Sequence, residues 1–295
     1  MEGKTCVKKL LFLVVIFVCI MPIGYFSLWH HEENGAVNPL DAIIDDNEEK
    51  KRIIKIAIID SGINDCDELD GKVVKSFNVI HDSSKTFDGY NHGTPIAGII
   101  AGNTLGVNPN VALYDVQFLS EDGNGDLEHL VKGIEWAIDE DVDILNLSFG
   151  FQKLNAMLEE VITRANKENI LVIAAAGNTF GFGVDYPAKL PNVISIGSVN
   201  DNLSKAYFSG EGKIDFVTVG SNLKSITNKG DVAYFDGTSF SAAYFTGVVS
   251  LLISELSNKE EAYQFINNQL KNFAHDLGDK GFDNKYGNGL ILLTE

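Results

Sequence analysis

The chain has 295 residues, of which 45% are hydrophobic and 22% charged, and its formal net charge at pH 7 is −18. This length corresponds to one large domain or two small ones, and the composition is typical of a globular protein with a large core. It excludes a mainly disordered chain and a polytopic membrane protein. The 41 acidic residues against 23 basic ones argue against nucleic-acid binding, because few cations are available to neutralise phosphates.

The first apolar segment covers residues 10–29 and contains no charged residue. As a helix it would be about 30 Å long, which matches the hydrocarbon core of a bilayer. Lys4, Lys8 and Lys9 precede it, so residues 1–9 are predicted to be a cytoplasmic tail and the rest of the chain to lie outside. The segment is longer than the apolar part of a signal peptide and lacks an A-x-A-like site, which favours an uncleaved anchor. A cleaved signal and a secreted protein form the alternative.

Residues 30–52 are polar and rich in charge, and we interpret them as a linker. Residues 53–295 then form one folded domain, in which Cys66 is the only cysteine because Cys6 and Cys19 precede it. No disulfide can form within this domain. The size of its core must therefore supply its stability.

Short runs rich in Val, Ile and Leu alternate with amphipathic stretches from residue 53 onward. Strands are predicted over residues 55–60, 111–119, 142–149, 170–177 and 193–199, and helices over 127–140, 153–169 and 239–256. Continuous apolar strands between amphipathic helices indicate an α/β fold of three layers, with a mostly parallel sheet and helices on both faces. In such sheets, functional residues gather at the carboxyl ends of the strands.

Three polar residues stand at or near those ends in contexts rich in Gly, Ser or Thr. Asp60 closes a predicted strand in the motif DSG, His92 begins a helical run in NHGT, and Ser239 opens the long apolar helix in GTS. Taken one at a time, a turn residue and two helix caps would explain them. Their joint occurrence in the order Asp, His, Ser favours nucleophilic catalysis.

These motifs and several supporting segments resemble the subtilisin-like serine peptidases. The segments are IAIIDSGI, NHGTPIAGIIAG, DVDILNLSFG, AAAGN, YPAKLPNVISIGSV and DGTSFSAA. They follow one another in register from about residue 54 to residue 292. The resemblance implies a subtilisin-like catalytic domain over residues 53–295 and a serine endopeptidase activity.

The resemblance implies a catalytic role for four residues. Ser239 would supply the nucleophile, His92 would take its proton, and Asp60 would fix the imidazole tautomer and stabilise the imidazolium. The side-chain amide of Asn178, in AAAGN, would stabilise the oxyanion together with the backbone N–H of Ser239.

The resemblance also implies two extended segments that pair with a substrate peptide as added strands. The second of these segments, together with residues 175–177, would also wall the pocket for the side chain on the acyl side of the cleaved bond, the P1 residue. The implied binding residues are Asn124 and Gly125 in one segment, Ser148, Phe149 and Gly150 in the other, and Ala176 and Gly177 in the wall.

Asp185, which precedes Tyr186-Pro187, would lie at the floor of this pocket, where many relatives have Gly. Desolvation of an isolated carboxylate in a narrow pocket costs free energy unless the charge is paired. A Lys or Arg side chain of the substrate would pair with it. The alternative is that Asp185 faces solvent or pairs with Lys189. The first reading predicts cleavage after basic residues.

The chain departs from the family pattern at Pro95, Phe240 and Ala243, where relatives commonly have His, Met and Pro. We expect Phe240 to be buried and to alter packing behind the nucleophile without touching the chemistry. The loop at residues 103–105 is shorter than the loop that binds calcium in some relatives. We therefore expect no calcium site, no other metal and no cofactor.

Together these expectations describe a single-pass membrane protein with a monomeric extracellular domain that processes exported peptides after basic residues. Its partners would be a peptide or protein substrate and, through the N-terminal segment, the membrane. Leader peptidases of lantibiotic-like peptides would be the subgroup most similar in style. A broad-specificity degradative protease and a surface binding protein that has lost catalysis are the alternatives.

Overall fold

The computed structural model describes residues 51–293. The predicted tail and anchor, and all but the last two residues of the predicted linker, lie outside the described residues. Within residues 51–293, no helix is both long enough and apolar enough to span a bilayer.

A seven-stranded parallel sheet forms the centre of the described chain. Its strands are β1 (Ile54–Asp60), β2 (Val73–Asn78), β3 (Val111–Gln117), β4 (Ile144–Leu147), β5 (Leu171–Ala175), β6 (Ile194–Val199) and β7 (Phe216–Val219). Their order across the sheet is β2-β3-β1-β4-β5-β6-β7, and every neighbouring pair is parallel. All carboxyl ends therefore lie at one edge.

Five α-helices accompany the sheet. They are α1 (Gly93–Ala101), α2 (Leu127–Asp139), α3 (Ala156–Lys167), α4 (Thr238–Ser254) and α5 (Lys259–Asn268). The side chains of Asp126, Asn155 and Asn258 accept hydrogen bonds from backbone N–H groups in the first turns of α2, α3 and α5. These caps satisfy donors that have no partner inside the helix.

Alternate residues of β1 face two separate hydrophobic cores. Ile56 and Ile58 pack in the core that contains α1 and α4, whereas Ala57 and Ile59 pack in the core that contains α2 and α3. Both faces of the sheet are thus covered, because side chains alternate along a strand. The predicted three-layer α/β fold is confirmed.

The sequence analysis did not predict two strands of the sheet, or the antiparallel hairpin of β8 (Leu223–Ile226) and β9 (Val232–Phe235). β2 lies at the edge of the sheet and has exposed residues in its middle, so it has no continuous apolar run. β7 and the hairpin strands have only four residues each. Such short segments give too little periodicity to be recognised.

Candidate active site

Asp60 and His92 form a hydrogen-bonded pair at the carboxyl edge of the sheet. Asp60 is the last residue of β1 and is 1% exposed, and His92 immediately precedes α1. The imidazole Nδ1 lies 2.7 Å from Asp60 Oδ1, which also accepts a hydrogen bond from Ser61 N at 2.8 Å. Because a carboxylate can only accept, His92 carries its proton on Nδ1 and presents Nε2 to the pocket.

The environment of His92 favours its protonated form. Burial of the ring lowers its pKa, but the negative charge and hydrogen bond of Asp60, with a further contribution from the charge of Asp88, raise the pKa above its ordinary value of 6.5. The arrangement therefore stabilises an imidazolium, which is the state that a general base reaches after taking a proton.

Asp88 holds the segment that carries His92, and sequence reasoning missed it. Its Oδ1 accepts hydrogen bonds from Ser61 Oγ at 2.8 Å and Asn91 N at 2.7 Å, and its Oδ2 accepts one from Thr94 N at 2.9 Å. This fully buried carboxylate thus joins the turn after Asp60 to the start of α1. The available signal was an Asp four residues before the His, which by itself is too common to be informative.

Ser239 lies in the first turn of α4 and lines the same pocket as His92. Its hydroxyl donates a hydrogen bond to the carbonyl oxygen of Ser148 at 2.9 Å, and Ser148 Oγ donates to the carbonyl oxygen of Ser239 at 3.2 Å. The Ser239 hydroxyl therefore donates its proton to the backbone at the carboxyl end of β4 in this structure, and not to His92. A change of its χ1 rotamer would redirect it, and catalytic hydrogen bonds often form fully only once substrate is bound.

Thr238 fixes the orientation of the Asn178 amide and is a second residue that sequence reasoning missed. Asn178 Oδ1 accepts hydrogen bonds from Thr238 N at 3.0 Å and from Thr238 Oγ1 at 3.1 Å. A backbone N–H can only donate, so the amide oxygen is identified by this contact and the NH₂ group points away from Thr238. Asn178 itself is exposed and lines the pocket, where its two donors are free for a ligand's oxygen.

One pocket of about 450 Å³ brings most of the candidate residues together. Besides His92, Ser239 and Asn178, it is lined by Asn124 and Gly125 on one side and by Ser148, Phe149 and Gly150 on the other. The two segments implied as substrate-pairing edges therefore flank the candidate nucleophile. Ala176, Gly177 and Asp185 are not among the residues that line this pocket.

Asp185 packs against two glycines, of which Gly150 lines the pocket and Gly177 does not. A Cβ atom added at Gly150 would lie 2.5 Å from Asp185 Cβ, and one added at Gly177 would collide with Asp185 Oδ2. Only glycine at these two positions leaves room for the Asp185 side chain. The carboxyl group thus lies between the ends of β4 and β5, between the segments that the resemblance implies as pocket walls.

The carboxylate of Asp185 has no cationic partner among residues 51–293. Lys189 does not pair with it, because Lys189 Nζ lies over the ring of Tyr186, 5.6 Å from its centroid. Asp185 is half-buried, and this burial raises its pKa above the ordinary value of 3.8. An unpaired and partly desolvated carboxylate gains most from an incoming cation.

In the part of the chain that the structure describes, no group of three or more His, Cys, Asp or Glu side chains is arranged to hold a metal ion. The pocket itself presents a base with its orienting carboxylate, a hydroxyl group and amide donors.

Comparison with known proteins gives a family model and individual relatives that agree with one another. Residues 51–289 match the model of the subtilase family. Subtilisin DY of Bacillus licheniformis is 34% identical over 248 residues, which cover 81% of this chain and 88% of that protein. Subtilisin BL of Lederbergia lenta is 34% identical over 244 residues, with the same coverage of 81% and 88%, and Subtilisin Savinase of the same organism is 33% identical over 244 residues.

Proposed function

The chain belongs to the subtilase family and is a serine-type endopeptidase; from this premise we propose that it is an extracellular, membrane-anchored processing peptidase that cleaves after basic residues. The observation that carries the catalytic part is the Asp60–His92 pair, 2.7 Å apart, in one pocket with Ser239. The observation that carries the specificity is the unpaired carboxylate of Asp185 beside that pocket.

The proposed reaction begins at the Ser239 hydroxyl. Its oxygen attacks the carbonyl carbon of the substrate bond while its proton passes to His92 Nε2. Asp60 stabilises the resulting imidazolium. The proton then moves to the leaving amine, the C–N bond breaks, and an acyl ester remains on Ser239. Water then attacks the acyl carbon while His92 takes its proton. The bond to Ser239 Oγ breaks, and His92 returns the proton to that oxygen.

The oxyanion that forms in each step needs donors that are already in place. The proposed donors are the NH₂ group of Asn178 and the backbone N–H of Ser239. The two hydrogen bonds from Thr238 to the amide oxygen of Asn178 support the first of them. Such donors stabilise the transition state more than the ground state, so they act on kcat.

The substrate is proposed to bind as an extended strand between the two pocket edges. Gly125 and Gly150 are exposed and lie in opposite edges, which leaves their backbone groups accessible to a peptide. A strand added in this way is recognised by its backbone, and the side-chain pockets supply selectivity. An Arg or Lys side chain at P1 would reach Asp185 past Gly150.

The anchor is supported by sequence alone, because residues 10–29 lie outside the described residues. A charge-free segment of bilayer length behind three lysines is the basis for this part of the proposal. A tethered peptidase would meet substrates as they leave the cell, which suits limited maturation of exported peptides, such as leader removal from lantibiotic-like precursors.

The experiment that tests the peptidase uses one peptide series with Arg, Lys, Phe or Leu at P1 and otherwise identical sequence. We expect wild type to label with a fluorophosphonate probe and to cleave Arg and Lys peptides ten- to a thousandfold faster than Phe peptides. Ser239→Ala should lose both labelling and cleavage. Labelling without any P1 preference would instead favour a degradative protease, and failure to label would favour a catalytically silent binding protein.

Asp185→Asn isolates the role of the carboxylate, because Asn keeps the shape that fits between Gly150 and Gly177. It should lower the Arg-to-Phe ratio at least tenfold while cleavage of the Leu peptide is retained. Asp122→Asn is the matched control, since Asp122 is an exposed acid that does not line the pocket. Equal ratios in wild type and Asp185→Asn would remove the basis for basic specificity.

The anchor is tested on the full-length chain expressed in cells. The protein should remain in the membrane pellet after carbonate washing and retain its original N-terminus. Soluble protein that begins between residues 25 and 40 would show instead that residues 10–29 are a cleaved signal.

A further inference from the structure

Three exposed aromatic side chains lie beside the active site without being part of its pocket. Phe180 and Phe182 follow Asn178 in the loop after β5, and Tyr207 lies in the loop between β6 and β7. Their exposed fractions are 61%, 91% and 77%, and none of the three lines the pocket. The ring centroids of Phe180 and Tyr207 are 6.0 Å apart. We call these three residues the aromatic patch. Exposed apolar groups gathered in this way mark an interaction site, whereas single ones are ordinary.

The backbone holds the loop of the patch in a fixed and strained conformation. Phe180 has a φ of 55°, in the left-handed region that costs free energy for a bulky side chain. Its N–H donates to the carbonyl oxygen of Phe208 at 2.9 Å. Thr179 Oγ1 donates to the carbonyl oxygen of Gly183 at 2.6 Å, and Phe182 N donates to that of Thr179 at 3.0 Å. The fold therefore maintains strain in a loop that presents two large rings to solvent.

The patch projects from the surface and is locally uncharged. A Cβ atom added at Gly183, next to Phe182, would meet no heavy atom within 4 Å, so the tip of the loop stands in open space. Residues 178–184 contain no charged residue, and the neighbouring Lys205 pairs with Glu211 at 3.3 Å. Projecting aromatic rings suit insertion among lipid headgroups, whereas the strongest contacts of protein interfaces fill packed pockets. Insertion of this loop would desolvate no isolated charge.

The predicted anchor brings a bilayer within reach of the patch. Residues 30–50, which lie outside the described residues, span up to about 70 Å when fully extended. The described chain begins just before β1, and Asp60 and the pocket lie at the far end of this strand, about 23 Å away. The connection is therefore long enough to let the carboxyl edge of the sheet face the membrane. Because the bilayer and the patch would belong to one tethered assembly, even a weak contact between them would be populated.

We propose that the aromatic patch inserts into the headgroup region of the bilayer that anchors the chain, and so holds the active-site pocket at the membrane surface. This inference rests on the proposed function, in particular on the anchor at residues 10–29. Asn178 lies only two residues before Phe180, so a patch seated in lipid keeps the oxyanion side of the pocket next to the bilayer. The favoured substrates become peptides that are themselves bound at that surface.

The first test maps which residues touch lipid in the full-length chain, reconstituted in vesicles of phosphatidylcholine and phosphatidylglycerol. Photoreactive p-benzoylphenylalanine replaces Phe180, Phe182 or Phe87. Phe87 is the matched control because it is 57% exposed and its N–H bonds to Gln117 of β3, which β1 and β4 separate from β5. After illumination, positions 180 and 182 should gain the mass of one phospholipid at least about tenfold more often than position 87.

The composition of the vesicles tests the apolar nature of the contact. Vesicles of phosphatidylcholine alone, or 1 M NaCl in the buffer, should change the yield at position 182 by less than about twofold, because contact between rings and lipid is not screened by salt. Loss of the signal under either condition would mean that charged headgroups hold the domain, and would overturn the proposal.

The second test asks whether docking serves cleavage. One peptide sequence is supplied either free in solution or carrying a palmitoyl chain that binds it to the vesicles. The triple variant combines Phe180→Asn, which tolerates positive φ, with Phe182→Ser and Tyr207→Ser. It should cleave the free peptide within about twofold of wild type and the palmitoylated peptide at least about fivefold more slowly. Phe87→Ser should cleave both as wild type does, and fluorophosphonate labelling shows that each variant is folded.

The outcomes separate this inference from the function beneath it. Protein that does not remain with the vesicles in carbonate would refute the anchor and the docking together. Protein that remains there but gains lipid equally at positions 182 and 87 would leave the anchored peptidase intact and refute only the docking. Attachment of a second chain at position 182 would identify an interface between copies, and an equal loss of cleavage of both peptides would identify a substrate site. Either result would overturn the proposal.

Discussion

At the scale of single residues, Thr238 determines which way the Asn178 amide faces. Thr238 supplies both donors to Asn178 Oδ1, and its own Oγ1 accepts a hydrogen bond from Gly177 N at 3.2 Å. This 1%-exposed threonine therefore locks the candidate oxyanion donor and the adjacent pocket wall into one arrangement. Preorganisation of this kind is what makes a donor effective at the transition state.

Replacement of Thr238 should consequently act on kcat. Asn178→Ala should lower kcat by about 10²–10³ with little change in KM. Thr238→Val keeps the backbone donor and the side-chain shape but loses the hydroxyl, so we expect a smaller drop of about tenfold. Thr238→Ser should restore most of the rate. Steady-state kinetics on one peptide separates the two parameters, and a change confined to KM would mean that Asn178 binds substrate only.

The raised pKa of His92 predicts where activity begins on the pH scale. His92 must be neutral to accept the proton of Ser239, and Asp60 and Asp88 favour its charged form despite burial of the ring. The kcat/KM of wild type should therefore rise with pH and reach half its plateau above pH 6.5, the ordinary value for this group.

Salt provides the control for this pH profile. Asp60 is buried and in direct contact with His92, so added NaCl should shift the half-maximal pH little, whereas a surface charge effect would be screened. Half-maximal activity at or below pH 6.5, or a large salt shift, would contradict the assigned cause.

At the scale of elements, the carboxylate of Glu68 ties the loop after α1 to the short 3₁₀ helix at Asp67–Leu69. Its Oε2 accepts hydrogen bonds from Thr104 N at 2.9 Å and Leu105 N at 3.3 Å, and its Oε1 accepts one from the Thr104 hydroxyl. Partial burial raises the pKa of Glu68, but these three hydrogen bonds outweigh it and lower the pKa below 4.5. The loop is thus closed by a side chain of the protein itself.

Glu68→Gln should weaken this closure in a pH-dependent way. A carboxylate whose folded pKa is lowered contributes stability above its unfolded pKa, and the contribution disappears as pH falls through the folded pKa. At pH 7 we expect the variant to lose about 1 kcal/mol of unfolding free energy, a modest value because the group is partly solvated. At pH 3 the two proteins should converge.

Thermal unfolding in the presence of EDTA completes that experiment. Because both carboxylate oxygens of Glu68 already accept hydrogen bonds from this loop, we expect the Tm of wild type to be unchanged by the chelator. A large fall in Tm would reveal a metal ion that stabilises the folded chain.

The elements and the candidate site differ in how much of each was predictable from the sequence. Buried strands such as β1 and β5 were predicted because both faces of the sheet are covered. Nearly every residue of such a strand is therefore apolar, and the sequence shows a continuous apolar run. Asp60, His92 and Ser239 were singled out because their motifs occur together in the order Asp, His, Ser, although each motif alone has an ordinary structural explanation. Asp88 and Thr238 were not, since each acts through hydrogen bonds to partners whose proximity depends on the fold. Phe240 is buried as expected, but it lines the same pocket as Ser239 and does not lie behind the nucleophile.

At the scale of the whole molecule, the chain enters the domain at the edge of the sheet opposite the pocket. Arg52 N donates to the carbonyl oxygen of Ser254 at the end of α4, and the Arg52 side chain pairs with Asp143 at 2.6 Å, just before β4. Asp60 and the pocket lie at the other end of β1, a strand of seven residues that is about 23 Å long. Residues that precede 51 would have to span at least this length to cover the pocket.

The buried carboxyls behind the pocket give the folded domain an unusual dependence on pH. Asp115 in β3 is fully buried, its Oδ2 accepts from Ile63 N at 3.2 Å and its Oδ1 has no hydrogen-bond partner among the described residues. Burial raises the pKa of Asp115 from 3.8 to about 7; hydrogen bonds from Thr86 and Ile63 oppose this shift, and repulsion from Asp88 and Asp60 adds to it. The folded state therefore binds a proton there that the unfolded chain releases at much lower pH.

The sign of the effect follows from linkage. Between the unfolded and folded pKa values of Asp115, the folded state binds more protons than the unfolded state. The unfolding free energy therefore falls as pH rises from about 4 to 7, and this contribution does not change further above pH 7. The loss reaches at most about 4 kcal/mol, since each pKa unit corresponds to about 1.4 kcal/mol. This trend opposes that of Glu68, so the wild-type curve alone would not isolate it.

Asp115→Asn separates the two contributions, because Asn stays neutral and keeps one oxygen to accept from Ile63 N. Urea unfolding is compared at pH 5 and pH 8 in a Ser239→Ala background, which prevents self-digestion. Relative to its parent, the variant should gain stability on going from pH 5 to pH 8, by up to about 3 kcal/mol, because only the two units between pH 5 and about pH 7 contribute. Asp122→Asn, which changes an exposed acid, should run parallel to the parent. If Asp115→Asn also runs parallel, Asp115 is ionised in the folded protein at both pH values, and the buried cluster carries its full negative charge beside His92.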